Sequence, residues 1–396
     1  MAKQSQLKKI LFIGHVATRT GAPYVLLHLL RWLRANTSIE CRLLLGTGGE
    51  LEPEFAKVAQ TLVLDSREIF RDNIITKGLR YYGFRRDGSS KYLARLKREL
   101  INEGIDLIYS NTAANAQIVA SLEEARCPVV THVHELEYVI RHVLDSKTAR
   151  LMRESTRHYI AVSESVRRNL IENHAISENK IDLIYEFIPV QMVDSDRKAI
   201  VRRKVRQELG MASEDFVVGG SGTIEWRKGP DLFVQLASMM SRLRLDRPVW
   251  FVWLGGKIDE TIYNQLFHDI RLLGLENSVR FLGASDDALK YIGAFDVFAM
   301  VSREDPFPLV CLEAASMGVP IVCFDKAGGT CEFVDTDSGF VVPYLDLVAM
   351  ADKVSALLNS EDLRLRYGRQ AAHKVRRLHD IEVAAPKILE VLQRLV

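Results

Sequence analysis

A chain of 396 residues with a hydrophobic fraction of 47% is too long for one ordinary domain and apolar enough for two full cores. Its 53 Lys and Arg against 51 Asp and Glu leave a net charge of +2 and no global field for a polyanion; with no zinc-finger spacing or basic-aromatic array, this excludes nucleic acid as a partner class. Five cysteines, Cys41, Cys127, Cys311, Cys323 and Cys331, form no Cys-x-x-Cys pair and lie mostly in apolar contexts, as reduced core thiols of a cytosolic protein do.

Met1 to Lys9 is polar and passes straight into a strand, and no run approaches ~18 apolar residues, which predicts neither a signal peptide nor a transmembrane helix. The first half repeats short apolar runs followed by helical patterns: 10–13, 41–45, 105–109, 128–133, 159–162 and 181–184. Continuous apolar runs joined through helices predict a parallel sheet covered on both faces. After the first run, Gly14 to Pro23 forms a glycine-containing loop, with Gly21 near its end, before an amphipathic helix over 24–33. Lys77 to Arg98 carries eight cations against Asp87, with Tyr81, Tyr82, Phe84 and Tyr92 interleaved, a segment suited to an anionic lipid or an acidic acceptor. The run 130–136 ends a strand with His132 and His134 on one side and Glu135 on the other, which does not fit the i, i+4 helical spacing of a zinc protease. We expect no metal site there.

After Pro189 a polar stretch, 194–204, marks the expected domain boundary, and strands resume at 216–219, 249–254, 279–282, 297–301, 321–324 and 340–342. Gly229-Pro230-Asp231 starts a helix whose apolar stripe, Leu232, Phe233, Leu236, Met239, Met240 and Leu243, belongs to a core. Just before it, the loop Ser221-Gly222-Thr223-Ile224-Glu225-Trp226-Arg227-Lys228 places two cations where the sheet can present them to a diphosphate. Fixed cations there would stabilise the charge that builds on the bridging oxygen as a sugar departs. The strand 297–301 is followed by Ser302 to Pro308 and a short helix, 309–317, ended by Gly318. Unpaired N–H groups at that helix start favour a phosphate, and the carboxylates Asp305 and Glu313 can accept hydrogen bonds from sugar hydroxyls. Together these describe a nucleotide-sugar site. The Asp-x-Asp triplets at 194–196 and 335–337 sit in turn or linker composition and predict capping and solvent roles.

The acid, seven intervening residues and Glu, followed by Ala and Gly-Val-Pro, resemble the Glu-x7-Glu signature of the retaining family-4 glycosyltransferases (glycosyl transferases group 1), with Asp305 in place of the first Glu. The resemblance implies an α/β protein of GT-B fold, two Rossmann-like doubly wound parallel-sheet domains facing a central cleft. It divides the chain into an acceptor domain, 1–190, and a nucleotide-sugar domain, 191–376, with the terminal helix, 377–396, packing back on the first. It implies that Asp305 contacts the transferred sugar, that Glu313 holds the ribose and that Phe307, Pro308, Leu309 and Val310 line the donor. The family's Lys before Gly matches Lys228, whereas Thr223, beside Gly222, stands where the family has Arg; Arg227 is our candidate substitute. His134 takes the place of the family's strand-end histidine near the reacting sugar. Gly21 lies in a loop similar to the amino-terminal glycine loop, Glu332 follows a Gly-Gly turn that would close around the donor, and the backbone near Arg280 and Gly283 would meet the base.

The implied reaction moves a sugar from a nucleoside diphosphate to a hydroxyl of a glycan or lipid-linked acceptor, with retention, with no cofactor and no obligatory metal. A cytoplasmic location with peripheral contact on the inner membrane face through 77–98 goes with it, as does work in surface polysaccharide or lipopolysaccharide assembly. Two other functions fit the same fold: a non-catalytic nucleotide-sugar scaffold, and a nucleotide-sugar epimerase or phosphorylase.

Overall fold

Apolar runs of four to eight residues are too short to bury a helix but suffice for a strand covered on both faces, and they build two parallel sheets. The computed structural model describes residues 7–65, 98–100, 102, 104–144, 146–190, 195–256 and 260–396. The segment 77–97 lies outside the described residues, so the expected membrane contact through 77–98 lies outside them too, apart from Arg98.

The first sheet has seven strands in the order β3-β2-β1-β4-β5-β6-β7. They are β1 (Lys9–Gly14), β2 (Glu40–Thr47), β3 (Gln60–Asp65), β4 (Leu107–Ser110), β5 (Val129–Val133), β6 (His158–Ala161) and β7 (Ile181–Leu183). All neighbours pair parallel, and the order reverses at β1, which pairs both β2 and β4. The helix α1 (Gly21–Asn36) covers the sheet with Val25, Leu26, Leu29, Leu30 and Leu33. It begins three residues before the sequence pattern indicates, so Gly21 is its exposed first residue.

The second sheet has six strands in the order β10-β9-β8-β11-β12-β13. They are β8 (Phe216–Ser221), β9 (Val249–Leu254), β10 (Val279–Phe281), β11 (Val297–Met300), β12 (Ile321–Phe324) and β13 (Gly339–Val342). The order switches between β8 and β11, so the carboxyl ends of those two strands open a crevice. The chain divides into two compact units. The first comprises residues through Val162, Val166–Ile184 and Ala384–Val396; the second comprises Ser163–Ser165 and Tyr185–Val383.

The polar stretch at 194–204 is not an open linker: α2 (Ser195–Glu208) runs through it. Arg202 and Arg206, one turn apart, both reach Asp296, at 2.5 and 2.6 Å, and the Arg206 guanidinium also donates to the carbonyls of Ala294 and Asp215. A buried carboxylate some 90 residues away thus lets a charged segment face the core, which no local pattern reveals. Asp196 lies exposed in its first turn rather than in a linker. In α3 (Pro230–Met240) Leu232, Phe233, Leu236 and Met240 of the apolar stripe are core as expected, whereas Met239 is half-buried and Leu243, beyond the helix end, is 46% exposed. Then follow α4 (Leu309–Ser316), α5 (Glu361–Leu378) and α6 (Ile381–Arg394). Ala384 onward belongs to the first unit, where Arg394 pairs with Asp182 of β7. Among the described residues no helix is long and apolar enough to cross a membrane.

Gly219 in β8 is demanded by packing: a Cβ there would sit 1.9 Å from the Phe295 ring. Gly219→Ala should therefore destabilise the second unit by about 1–3 kcal/mol through overpacking. Urea denaturation followed by tryptophan fluorescence reads this unit, since Trp226, Trp250 and Trp253 lie in it; an unchanged midpoint would contradict the packing.

Candidate active site

The turns that leave β8, β9 and β10 interlock at the carboxyl end of the second sheet. The Gly222 amide donates to the Leu254 carbonyl at 3.0 Å, the Trp253 indole to the Gly222 carbonyl at 3.0 Å and the Gly255 amide to the Gly283 carbonyl at 2.8 Å. Gly255 holds φ +150° and a Cβ on it would lie 1.9 Å from the Gly222 carbonyl oxygen, so only glycine fits. The result is a floor of bare backbone that a ligand can approach closely.

The stem of Lys228 lies over that floor, its Cγ 3.1 Å from where a Gly222 Cβ would be. Its Nζ is ion-paired with the Asp305 carboxylate, and both side chains are largely buried. Asp305 is tied in turn to the loop after β12, its amide donating to the Ala327 carbonyl at 2.7 Å. Lys228 and Asp305, distant in sequence, thus form one unit at the switch point. Arg227 does not project into the crevice as a free cation. Its guanidinium donates to the Glu225 carboxylate at 2.9 Å and to the Glu304 carbonyl at 3.0 Å. Thr223 is half-buried, and its carbonyl accepts from the Glu225 amide at 2.9 Å.

Residues 306–310 divide by role. Phe307 is buried and stacks on His379, with ring centroids 5.2 Å apart, and it packs on Gly329, so its side chain serves the core. Pro308 is the extended cap residue of α4, with no side-chain cap and no acid in the first turn. The amides of Leu309 and Val310 open that helix, where intrahelical carbonyls cannot reach them. Glu313 follows one turn later. Burial pushes its carboxyl up to about 7, and among the described residues no cation or hydrogen-bond donor meets it.

Other expected positions fall elsewhere. Glu332 is not free to close on a ligand: its carboxylate accepts from the Glu164 amide at 2.9 Å, the Ser165 amide at 2.8 Å and the Ser165 hydroxyl at 2.7 Å, all within the second unit. Arg280 turns toward the amino end of the sheet, its guanidinium 5.0 Å over the Trp250 ring and bonded to the Glu276 carbonyl. Only the Gly283 backbone of that pair joins the floor.

In the first unit, the loop after β1 is braced by the Thr47 and Leu51 amides on the carbonyls of His15 and Ala17, and by the Asn111 amide group on the Ala22 carbonyl at 2.8 Å. His134 follows β5, its ring 4.2 Å from that of His132. His132 is fully buried, bonds the Tyr109 hydroxyl at 2.7 Å and is held well below its ordinary pKa by burial and by its neighbour His134. Glu135 is taken up by Thr112, Ala113 and its neighbour's amide. Among the described residues no three His, Cys, Asp or Glu side chains are grouped to hold a metal ion.

Three contributors escaped sequence reasoning. Gly255 carried no motif. Asp231, an acid in the first turn of α3, holds Arg303 bidentately at 2.7 and 2.9 Å while that guanidinium lies over Trp226. Ser302, 1% exposed two residues past β11, has a buried hydroxyl with no partner among the described residues.

A doubly wound pair of parallel sheets with this glycine floor and helix start is the GT-B architecture of glycosyltransferases. Residues 201–374 match the family model of Glycosyl transferases group 1 and residues 19–191 that of Glycosyltransferase Family 4, and the chain belongs to this family. It is 27% identical over 207 residues to D-inositol 3-phosphate glycosyltransferase of Corynebacterium aurimucosum, 52% of this chain and 49% of that one. It is 24% identical over 217 residues to the capsular polysaccharide biosynthesis glycosyltransferase CapM of Staphylococcus aureus, 54% of this chain and 56% of that one. The match thus spans about half the length of these curated relatives. Among solved structures, HepE of Anabaena in complex with UDP and glucose superposes with a TM-score of 0.80 at 21% identity over 98% of this chain and 100% of that one. Sucrose-phosphate synthase of Thermosynechococcus elongatus does so with 0.77 at 18% identity, over 98% and 99%. At these identities the likeness establishes the fold.

The raised Glu313 carboxyl makes a stability prediction. With a folded pKa of about 7 against an ordinary value of 4.5, Glu313 favours folding fully below pH 4.5, and that contribution is lost as pH rises through 7. Glu313→Gln should therefore gain thermal stability relative to the parent between pH 5 and pH 8; a melting difference that does not vary with pH would contradict it.

Proposed function

We propose that the chain transfers a sugar from a nucleoside-diphosphate sugar to a hydroxyl of a glycan or lipid-linked acceptor, with retention of anomeric configuration, in the assembly of surface polysaccharide or lipopolysaccharide. The single observation that carries the donor half is the uncapped start of α4 with the unanswered Glu313 one turn on. Amides of Leu309 and Val310 suit a phosphate, and a carboxylate without a protein partner suits two neighbouring hydroxyls such as those of a ribose. Support comes from CapM, named for capsular polysaccharide biosynthesis, and from HepE, solved with UDP and with UDP-glucose.

In this mechanism the donor exchanges partners with the Lys228–Asp305 pair. Lys228 moves to the diphosphate, Asp305 takes hydroxyls of the transferred sugar, and the two charges that neutralised each other become tools for the reaction. As the bond from the anomeric carbon to the phosphate oxygen breaks, Lys228 and the α4 amides stabilise the charge left on the diphosphate. The acceptor hydroxyl attacks from the same face, and its proton passes to the departing phosphate oxygen. No carboxylate serves as a nucleophile, and no metal is assigned. The missing Arg at Thr223 leaves Lys228 as the principal cation. A cytoplasmic location belongs to the same proposal.

Asp305→Asn should lower turnover at least about 100-fold, the scale of losing one group that acts in the transition state, while nucleoside-diphosphate affinity changes little. Turnover is read as nucleotide release from a panel of nucleotide sugars, and proton NMR of the product reads the anomeric configuration. Unchanged turnover, an inverted product, or an altered free nucleotide-sugar without transfer would each contradict the proposal.

A further inference from the structure

The carboxyl end of the second sheet carries two exposed aromatic rings joined by one arginine. Trp226, two residues before Lys228, is 52% exposed, and Tyr344, two residues past β13, is 44% exposed. Arg303, two residues before Asp305, connects them. Its guanidinium lies 5.1 Å over the Trp226 ring and donates to the Trp226 carbonyl at 2.8 Å, while its own carbonyl accepts from the Tyr344 hydroxyl at 3.1 Å. Asp231 holds the same guanidinium with both carboxylate oxygens. The arginine is therefore fixed, and it fixes the indole that it covers.

Tyr344 stands on a costly turn. The Asp346 amide closes residues 343–346 on the Pro343 carbonyl at 3.0 Å, and Leu345 is held at φ +60°, a conformation that such turns ordinarily give to glycine or asparagine. Backbone of this kind persists where a surface is used. The Phe324 ring meets Tyr344 edge-on, with centroids 6.3 Å apart, so the tyrosine is propped from the core side and open on the other.

The chemistry of these groups selects a neutral sugar. A pyranose with equatorial hydroxyls shows axial C–H groups on its faces, and such a face meets the negative face of an aromatic ring favourably. Asp231 uses one lone pair of each oxygen on Arg303 and, with its side chain 41% exposed, keeps others for hydroxyls. The charge of Arg303 is already matched by Asp231, which removes the attraction for a phosphate. Loops after β9 and β10 build the Gly255 and Gly283 floor on one side of β8, whereas Arg303 and Tyr344 follow β11 and β13 on the other. The rings thus stand apart from the floor that a donor's base would use.

We propose that Trp226 and Tyr344, with the Asp231–Arg303 pair between them, form a glycan subsite that holds pyranose units of the acceptor remote from the reacting hydroxyl. The proposal rests on the transferase reading and narrows its acceptor to an oligosaccharide. The two rings are separated by the reach of Arg303, a spacing for successive units of a chain and not for one monosaccharide.

The test is calorimetric titration of the full chain with cellohexaose, chitohexaose, maltohexaose and glucose, beside titration with UDP, GDP, ADP and dTDP. At least one hexasaccharide should bind and glucose should not. Trp226→Ala should weaken that binding at least about tenfold, the scale of truncating an aromatic anchor, whereas Trp226→Phe should keep most of it. Nucleoside-diphosphate affinity should not change in either. Should Trp226→Ala not fold, Tyr344→Ala, at an exposed turn, should give the same loss. A chain that binds a nucleoside diphosphate but no hexasaccharide would overturn the subsite and leave the donor reading standing, and a chain that binds a hexasaccharide through Trp226 but no nucleotide would do the reverse. Full hexasaccharide binding by the folded alanine variants, or loss of nucleotide affinity in Trp226→Ala, would overturn the subsite as well.

Discussion

The ion pair between Lys228 and Asp305 organises the second unit's crevice. It joins the loop after β8 to the loop after β11, and the Asp305 amide carries the connection on to the loop after β12. Such a pair, largely removed from water, contributes little net stability when both partners are present, but losing one leaves a buried charge at a cost of about 3–5 kcal/mol. The two loops are therefore held in one register by a bond whose members can still be exchanged for a ligand's charges. A diphosphate for Lys228 and sugar hydroxyls for Asp305 would keep both groups satisfied throughout, which is how a preorganised polar site avoids a large desolvation penalty on binding.

Everything around the pair leaves backbone exposed at that place. Parallel strands end together, the order switch between β8 and β11 opens the sheet, and glycines at 222, 255 and 283 keep side chains off the floor. The uncapped α4 start adds N–H groups, and Glu313 adds an acceptor that burial has made reluctant to ionise. Neighbouring charges are meanwhile neutralised internally, Arg227 by Glu225 and Arg303 by Asp231. Arg227 and Arg303 are therefore already engaged before any ligand arrives.

Strands were legible in the sequence because each is a short apolar run, and their boundaries moved by only a residue or two. The exception, β3, spans Gln60–Asp65 with polar ends at the sheet edge, so it lacks the profile of a strand buried on both faces. Residues 195–208 could not be read as a packed helix, since their burial depends on Asp296, which no local window contains. In the site, loop and spacing patterns were enough to single out Gly222 and Lys228 after β8 and Asp305 and Glu313 after β11, at two strand ends of one sheet. What the sequence could not convey was pairing. Arg227 is taken up by Glu225, Glu332 by Ser165, and Arg280 follows Trp250 away from the crevice. Each of those outcomes turns on which of two nearby partners a long side chain reaches, a matter of a few ångströms of tertiary geometry.

The central claim is that the α4 start with Glu313 is a nucleoside-diphosphate site, and calorimetric titration with UDP, GDP, ADP and dTDP tests it most directly. One of the four should bind the parent chain, and Glu313→Ala, which removes a carboxylate that burial disfavours, should remain folded and lose that binding. Failure of all four to bind, or equal binding by the folded variant, would contradict the account.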